Sequence, residues 1–309
     1  MSKFDIKAFK GVIPAVLTVF DKEENIDEVG MRQLVSFLID KGVNGLYLTG
    51  STGEGFTMTS EERKKVVEIV IDETAGRVPV VVHVGAIGTK ISIDLAKHAE
   101  SVGADGISSV PPFYWKFNEN QIIKYYEDIA NSCSIPMIVY NVPLVGLLGM
   151  NAIKRLAKIE NVKGIKYTAL SQYEITQIKD EVGEEFLVYS GADEMAMSGL
   201  IAGADGIVGS FYNIMPELFI NIYDAVKNKD LDEAQRLQKQ AVEVIMYALQ
   251  LPSFYAGMKV ILKWMGINAG YCRRPFENLT EEDEVKFKEG FKKLKETYDL
   301  KGIDFIDAI

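Results

Sequence analysis

Short apolar runs alternate with longer amphipathic segments along most of the chain. Runs such as Val78–Val84 are apolar and rich in β-branched residues, which is typical of strands buried on both faces. The segments between them repeat apolar positions at helical spacing, as in Asp27–Lys41, where Asp27 is a candidate N-cap and Gly42 a stop signal. The pattern predicts eight strands: Val12–Phe20, Gly45–Thr49, Val78–Val84, Gly106–Val110, Pro136–Asn141, Gly164–Thr168, Glu185–Tyr189 and Gly206–Ser210.

Each predicted strand is followed by a predicted helix, and eight such units indicate a (β/α)8 TIM barrel of the α/β class. A doubly wound sheet is the alternative, but no glycine-rich nucleotide-binding motif follows the first strand. Beyond Asn228 the alternation stops, so we expect a catalytic barrel over residues 1–228 and a C-terminal helical extension over residues 229–309, packed on the barrel. Three helices are predicted in the extension: Leu231–Leu251, Phe254–Met265 and Thr280–Tyr298.

The composition is that of a globular protein, with 309 residues, 48% of them hydrophobic, and a net charge of −10. The negative charge makes nucleic acid and anionic membranes poor partners, and no apolar run approaches the roughly 18 residues that span a bilayer. Cys133 and Cys272 lie far apart, and His83 and His98 are the two histidines, which argues against a disulfide framework and a zinc site. We expect a cytoplasmic protein without a metal.

Lys166 stands near the end of a predicted buried strand. Strand alternation places Gly164, Lys166 and Thr168 on one face and the apolar Ile165 and Tyr167 on the other, so the polar set is expected to face the barrel axis. An ammonium group is costly to bury without a partner and tends to release its proton, and the neutral amine forms a Schiff base with a carbonyl substrate. The alternative is a strand-end lysine whose ammonium group reaches water.

Active sites of TIM barrels lie at the carboxyl ends of the strands, and two of these ends carry further candidates. The Ser51-Thr52-Gly53 turn has two hydroxyls and backbone N–H groups that can bind a carboxylate. The alternative is an ordinary glycine turn without a ligand. Tyr140, on the strand beside Lys166, is either a proton carrier or an aromatic residue that fills the barrel.

Acidic and aromatic side chains follow other strands, and two interpretations of each pair stay open. Asp193 and Glu194 begin a predicted helix, where the macrodipole alone is enough to favour acidic residues. The alternative interpretation is that they bind sugar hydroxyls. Tyr114 and Trp115 follow a Pro-Pro turn that projects from the barrel, where they cap the site or pack on a neighbouring subunit. His83 lies within the third strand and is expected to be a hydrogen-bonded core histidine.

Taken together, six motifs at these strand ends resemble the dihydrodipicolinate synthase/N-acetylneuraminate lyase superfamily. Its members are Schiff-base class I aldolases on a (β/α)8 barrel with a helical extension. The resemblance covers almost the whole chain, and the order of the lysine and the motifs around it is specific. The motifs are GSTGE (Gly50–Glu54), PPFYW (Pro111–Trp115), YNVP (Tyr140–Pro143), GIKYT (Gly164–Thr168), GADE (Gly191–Glu194) and GSFYN (Gly209–Asn213).

The resemblance implies a catalytic role for Lys166, Tyr140, Ser51 and Tyr114, the last reaching into a neighbouring subunit's site in a homo-oligomer, usually a tetramer. It implies a small-molecule 2-keto acid substrate bound covalently to Lys166, with neither a metal nor an organic cofactor. The substrate-binding residues that it implies are Ser51, Thr52, Thr168, Gly191, Asp193, Glu194 and Ser210.

Within the superfamily, GSTGE, Thr168 and the Gly-x-Asp-Glu segment resemble the N-acetylneuraminate lyases, which release pyruvate and N-acetylmannosamine. Dihydrodipicolinate synthases usually carry an arginine where this chain has Val145, so that activity ranks third, after an aldolase for another 2-keto-3-deoxy sugar acid. Phe211 replaces a hydroxyl that lyases usually carry, and we expect it at the barrel mouth. A non-catalytic sensor on the same barrel is the alternative of a different class, and the joint presence of Lys166 and Tyr140 argues against it.

Overall fold

Eight short strands, each followed by a helix, confirm the alternation predicted from the sequence. The structure is a computed structural model that describes residues 4–309. Most strand residues are buried, as expected for strands covered on both faces. The strands are β1 (Gly11–Pro14), β2 (Leu46–Leu48), β3 (Val80–His83), β4 (Gly106–Ser109), β5 (Met137–Asn141), β6 (Val162–Tyr167), β7 (Leu187–Ser190) and β8 (Gly206–Gly209).

The strands pair in the order β1-β8-β7-β6-β5-β4-β3-β2, and every neighbouring pair is parallel. A parallel bridge between Ala15, just after β1, and Tyr47 of β2 links the two ends of the sheet. The sheet is therefore a nearly closed barrel, and the predicted (β/α)8 TIM barrel is confirmed.

The helices begin where the sequence supplies N-caps. Asp27 accepts a hydrogen bond from the Gly30 N–H, and Thr59 with Glu62 forms a capping box, as does Asn118 with Gln121. Residues 4–309 contain these α-helices: α1 (Glu28–Asp40), α2 (Ser60–Thr74), α3 (Thr89–Ser101), α4 (Glu119–Ala130), α5 (Met150–Leu156), α6 (Tyr173–Val182), α7 (Ala196–Ile201), α8 (Pro216–Lys227), α9 (Leu231–Ala248), α10 (Phe254–Trp264), α11 (Glu281–Tyr298) and α12 (Asp304–Asp307).

A hydrophobic core inside the sheet and a larger one outside it hold the barrel together. The inner core contains inward side chains from several strands, including Ile138, Leu187 and Tyr189, and Phe9 packs with them. The Tyr189 hydroxyl donates a hydrogen bond to the Phe9 carbonyl oxygen at 2.5 Å, which ties the N-terminal 3₁₀ turn to the barrel. The outer core lies between strands and helices and contains Ile165 and Tyr167. The amino-terminal half of the barrel is therefore filled, and open space is left for a site at the carboxyl ends of the strands.

The helical extension packs on the barrel and shares its outer core. Helix α9 contacts α7 and α8, and α11 contacts α9 and α10. Phe254 of α10 stacks on Phe211 with 6.0 Å between ring centroids, and Phe287 and Phe291 of α11 belong to the same core as the barrel helices. The predicted division between residues 228 and 229 stays a prediction.

The first strand is shorter than the predicted Val12–Phe20. After Pro14 the backbone hydrogen bonds go to loops rather than along one partner strand: the Val16 N–H donates to the Tyr47 carbonyl oxygen and the Leu17 N–H to Asn213 Oδ1. The predicted helix from Asp193 begins as a 3₁₀ turn, and α12 was not predicted. None of the helices in the described residues is long and apolar enough to cross a membrane.

Candidate active site

Lys166 lies on β6 with its side chain inside the barrel, as strand alternation predicts. In the sheet register it pairs with Tyr140 of β5 on one side and Tyr189 of β7 on the other. The lysine is 4% exposed. The alternative that its ammonium group reaches bulk water is therefore wrong, and the amine ends in an enclosed space at the carboxyl end of the barrel.

Two aromatic rings flank the amine of Lys166. The Nζ atom lies 4.4 Å from the ring centroid of Tyr140 and 4.9 Å from that of Tyr47. Within residues 4–309, no carboxylate forms an ion pair with Lys166, and no hydrogen bond reaches the Tyr140 hydroxyl. The Tyr47 hydroxyl instead donates to Ser108 Oγ at 2.9 Å, and burial raises its pKa well above the usual value. An unpaired amine beside a free phenol is an arrangement suited to nucleophilic attack and proton transfer.

The turn after β2 presents free donors beside this amine. Thr49 and Glu54, at either end of the turn, have left-handed backbone angles with φ of 55° and 53°. Such angles are uncommon for residues other than glycine and are concentrated at functional sites. Within the part of the chain that the structure describes, the backbone N–H groups of Thr52 and Gly53 donate no hydrogen bond. The turn can therefore bind a carboxylate, and we call it the carboxylate cradle.

A buried ion pair attaches this turn to the helical extension. Lys259 of α10 contacts Glu54 Oε1 at 2.7 Å, with side chains 1% and 0% exposed. The second carboxylate oxygen accepts the Arg273 N–H at 2.8 Å, and the lysine also donates to the carbonyl oxygens of Thr18 and Tyr271. All the polar groups of the pair are satisfied, so the extension fixes the conformation of the cradle.

We expect Lys259→Met to lower the free energy of unfolding by about 3–5 kcal/mol, because it leaves the Glu54 carboxylate buried without its counter-charge. Urea denaturation followed by circular dichroism measures the change. Lys263→Met is the matched control one turn along α10, since that lysine is 67% exposed in its ion pair with Glu284. The control should change stability by less than about 1 kcal/mol. Equal stability of the two variants would contradict the tethering role.

Thr168 and Gly191 face the amine at the ends of β6 and β7. The Thr168 Oγ1 atom is buried and, within residues 4–309, has no hydrogen-bond partner. Buried hydroxyls are normally paired, so a free one inside the barrel indicates a place for a ligand hydroxyl. A Cβ atom at Gly191 would overlap Thr168 Oγ1 and lie 3.0 Å from Lys166 Cε. Only glycine leaves both side chains free.

Gly191→Ala is therefore expected to reduce kcat/KM for a 2-keto acid substrate by on the order of 10²-fold, because displacement of catalytic groups by an ångström has an effect of that size. Steady-state pyruvate release measures it, with circular dichroism to verify folding. Gly149→Ala is the control, since a Cβ atom there meets nothing within 4 Å. Normal kcat/KM in a folded Gly191→Ala protein would contradict this placement.

Asp193 is buried at the 3₁₀ turn after β7, with Glu194 half-buried beside it. Its Oδ2 atom accepts the Phe211 N–H at 2.9 Å. Burial raises the pKa of this carboxyl to about 7, while the Phe211 N–H and the charge of Lys166 oppose the rise. Near neutral pH the carboxyl therefore exchanges between accepting and donating a hydrogen bond.

Ser210 joins the opposite sides of the mouth. Its Oγ atom is 2.7 Å from Thr52 Oγ1, which links the end of β8 to the cradle after β2. Ser51 is half-buried in the same turn and lines a cavity at the mouth. The structure thus brings the candidates of β2, β5, β6, β7 and β8 to the same end of the barrel.

Tyr114 is the candidate that the fold of one chain does not bring into the site. It is 82% exposed on the loop after β4, with φ of 83°, and its ring contacts the exposed Trp115 at 4.9 Å between centroids. Its predicted role in a neighbouring subunit stays a prediction.

The expectation for Phe211 is wrong. Its ring is 4% exposed and packs in the outer core against Phe254, because the 3₁₀ turn that it begins directs the side chain away from the barrel axis. The replacement of a hydroxyl-bearing residue by Phe211 therefore alters the outer core. Phe211 contacts the site only through its backbone N–H, which donates a hydrogen bond to Asp193.

His83 is a core residue, as expected. Its Nε2 atom accepts the Val110 N–H at 3.1 Å, and burial lowers its pKa well below the usual value, so the ring is neutral. Among the described residues the Nδ1 atom has no partner. Residues 4–309 contain no group of three or more His, Cys, Asp or Glu residues that could hold a metal ion.

Sequence reasoning missed three residues of the site: Tyr47, Lys259 and Tyr255, the last of which lines the cavity at the mouth together with Ser51. Tyr47 lies between Leu46 and Leu48, so strand alternation could have placed its ring in the barrel. The other two come from α10, and the contact of Lys259 with Glu54 joins residues 205 positions apart. Helical spacing in a single sequence carries no signal for such a contact.

Comparisons with known proteins agree with this architecture. The chain is 41% identical over 279 residues to N-acetylneuraminate lyase 2 of Escherichia coli. The aligned region covers 89% of this chain and 91% of that protein. It is 37% identical over 289 residues to N-acetylneuraminate lyase of Clostridium perfringens, covering 92% and 99% of the two chains. The wild-type sialic acid aldolase of Ruminococcus gnavus superposes with a TM-score of 0.89 at 33% identity, over 97% of this chain and 98% of that one.

The sequence model of the dihydrodipicolinate synthetase family matches residues 8–294, which include every strand of the barrel and most of the extension. This match and the identities above agree with the superfamily indicated by the motifs. The chain belongs to the dihydrodipicolinate synthetase family.

Proposed function

We propose that this protein is a pyruvate-dependent class I aldolase that cleaves N-acetylneuraminate reversibly to N-acetylmannosamine and pyruvate. The observation that carries the proposal is the buried, unpaired amine of Lys166 between the rings of Tyr47 and Tyr140. The lyases of E. coli and C. perfringens, at 41% and 37% identity, support the choice of substrate.

The reaction begins at Lys166. Its amine, after loss of a proton, attacks the C2 ketone of the open-chain sugar acid, and loss of water gives an iminium. Ser51, Thr52 and the free backbone N–H groups of their turn hold the C1 carboxylate. Because the iminium accepts the electron pair released in the next step, this chemistry requires neither a metal nor an organic cofactor.

Tyr140 gives its phenolic proton to the departing water in that dehydration, and the phenolate that remains takes the proton of the C4 hydroxyl. The C3–C4 bond breaks, its electron pair moves into the iminium to form an enamine, and C4 leaves as the aldehyde of N-acetylmannosamine. Protonation of the enamine at C3 and hydrolysis of the resulting iminium release pyruvate and restore the amine of Lys166. Thr168, Gly191, Asp193, Glu194 and Ser210 bind the hydroxylated tail, a role that the free Thr168 hydroxyl supports.

The same proposal includes a homotetramer in the cytoplasm. Tyr114 would contact the site of a neighbouring subunit, which its 82% exposure on a strained loop supports. The division into a barrel over residues 1–228 and an extension over residues 229–309 belongs to it as well.

A pyruvate-release assay over a panel of 2-keto acids tests the function. We expect turnover of N-acetylneuraminate, and less turnover of 2-keto-3-deoxygluconate. Turnover of 2-keto-3-deoxygluconate alone would make the protein an aldolase for another sugar acid. Condensation of pyruvate with aspartate semialdehyde in place of any cleavage would make it a dihydrodipicolinate synthase.

A further inference from the structure

Most of the buried cationic side chains have a counter-charge, and two do not. In residues 4–309 the buried lysine and arginine side chains are Arg63, Lys166, Lys179, Lys259 and Arg273. The last three each form an ion pair with a carboxylate. Within the same residues, no carboxylate forms an ion pair with Arg63 or Lys166. A buried cation without a counter-charge is costly. The proposed mechanism uses Lys166 and leaves Arg63 without a role.

Arg63 lies on α2, and neutral oxygen atoms hold its guanidinium group. Its side chain packs against the end of β3, and the residue is 5% exposed. Nη1 donates to the Gly85 carbonyl oxygen at 3.0 Å and Nη2 to the His83 carbonyl oxygen at 2.5 Å. Among the described residues the Nε atom has no partner. Burial lowers the pKa of the guanidinium to about 10, so the group still carries its charge at neutral pH.

This guanidinium lies directly behind the carboxylate cradle. The His83 carbonyl oxygen that accepts the hydrogen bond from Arg63 also accepts one from Thr49 Oγ1 at 2.9 Å. Thr49 begins the turn that forms the cradle, so one oxygen atom binds both the guanidinium and the cradle. Because electrostatic interactions decay slowly inside a protein, the charge acts on any anion that the cradle holds.

The two unpaired cations also lie near the same imidazole ring. The pKa of His83 is lowered first by burial, then by the charge of Arg63 and then by that of Lys166. The ring itself is neutral and cannot balance either charge. The reacting amine and the guanidinium therefore stand on one small group of side chains at the carboxyl end of the barrel.

The carboxyl groups at this end of the barrel leave the charge of Arg63 uncompensated. Glu54 lies at the far end of the cradle, but Lys259 neutralises it. Burial raises the pKa of Asp193 to about 7, so this carboxyl is only partly ionised near neutral pH. The site therefore has an excess of positive charge, which a bound anion would balance.

We propose that Arg63 is a specificity-determining residue whose uncompensated charge makes the carboxylate cradle select 2-keto acids over neutral ketones of the same shape. The cradle binds the carboxylate directly, and Arg63 stabilises it from behind. This inference rests on the proposed function and names the group that selects an acid as substrate. A purely structural Arg63 would need only donors for two carbonyl oxygens, and its charge would then be dispensable.

Borohydride trapping of pyruvate and of methyl pyruvate compares an acid with a neutral ester of the same ketone. Below saturation, the ratio of the two trapping rates measures the preference for the acid. We expect Arg63→Gln, which keeps a donor and removes the charge, to lower this ratio about 10-fold or more, because one charge in a protein interior changes anion affinity by such a factor. Arg63→Lys keeps the charge and should retain the ratio within about threefold.

Lys179→Met is the matched control, since it removes a buried charge at the amino end of the barrel. Its partner Asp205 directly precedes β8 and keeps Lys10 as a second cation at 2.9 Å. The control should leave the ratio unchanged. An unchanged ratio in Arg63→Gln would overturn the inference, because a structural role affects the acid and the ester equally.

Inhibition of the wild-type protein tests the inference even if Arg63→Gln does not fold. We expect lactate to inhibit pyruvate release at a concentration about 10-fold lower than lactamide, its neutral amide. Equal inhibition by the two compounds overturns the inference. A wild-type protein that forms no adduct with pyruvate overturns the proposed function and the inference together, whereas an adduct with no preference for the acid overturns the inference alone.

Discussion

Lys166→Met is expected to abolish pyruvate release from N-acetylneuraminate, lowering kcat on the order of 10⁴- to 10⁶-fold, as deletion of a covalent nucleophile does in other enzymes. The amine is the only atom removed that can form the Schiff base, and methionine occupies a similar volume in the space between Tyr47 and Tyr140. A coupled assay for pyruvate, at protein concentrations high enough to detect residual turnover, measures the loss.

Lys163→Met is the matched control for this variant. It lies three residues earlier on the same strand, but its side chain is exposed on the outside of the barrel. The control should retain kcat within about twofold, since surface substitutions rarely have large effects. Substantial turnover by a folded Lys166→Met protein would place the nucleophile elsewhere.

Tyr140→Phe has the second largest expected effect, a decrease in kcat of about 10²- to 10⁴-fold, which is the usual contribution of one general acid–base group. The substitution removes only the hydroxyl. The ring that contacts Lys166, Tyr47 and His83 is kept, so we expect an intact fold and continued binding of pyruvate. Single-turnover measurements of C3–C4 cleavage separate this effect from slow product release.

Tyr189→Phe is the corresponding control on the other side of Lys166. Tyr189 has the same register on β7, but its hydroxyl points to the Phe9 carbonyl oxygen at the filled end of the barrel. This variant should lose some stability and keep kcat within about threefold, because the hydroxyl that is removed donates only a structural hydrogen bond. Equal losses of kcat in the two variants would show that barrel packing, rather than proton transfer, is affected.

The barrel and the position of Lys166 could be predicted from the sequence because both depend on short-range periodicity. Alternation on β6 determines that Lys166 and Thr168 face inward once the strand is known to be buried. The position of Tyr140 beside the lysine then follows from the order of parallel strands. These expectations are confirmed by the register of β5 and β6, by the burial of Lys166 and Tyr140, and by the buried Oγ1 atom of Thr168.

The error at Phe211 arose from treating every residue at a strand end as part of the mouth. The chain leaves β8 in a 3₁₀ turn, and such a turn directs its three side chains to different sides. The same limit applies to β1, where the apolar run continues through Phe20 although the ladder ends at Pro14. An apolar run predicts burial, and burial is also achieved by a loop that packs under a helix.

The contribution of the helical extension could not be predicted at all. Lys259 and Tyr255 lie on α10, far along the chain from Glu54 and Tyr140, and their approach depends on how α10 packs on the closed barrel. The extension therefore takes part in the site by holding the carboxylate cradle and by forming one wall of the cavity beside Ser51.

Borohydride reduction in the presence of pyruvate tests the Schiff-base chemistry of Lys166 most directly. Reduction converts the iminium to a stable secondary amine, and peptide mass spectrometry locates the modified lysine. We expect one pyruvate-derived adduct per chain, on the peptide that contains Lys166, and no adduct in Lys166→Met. A protein that turns over the substrate but shows no adduct on Lys166, or carries it on another lysine, would contradict the proposed mechanism.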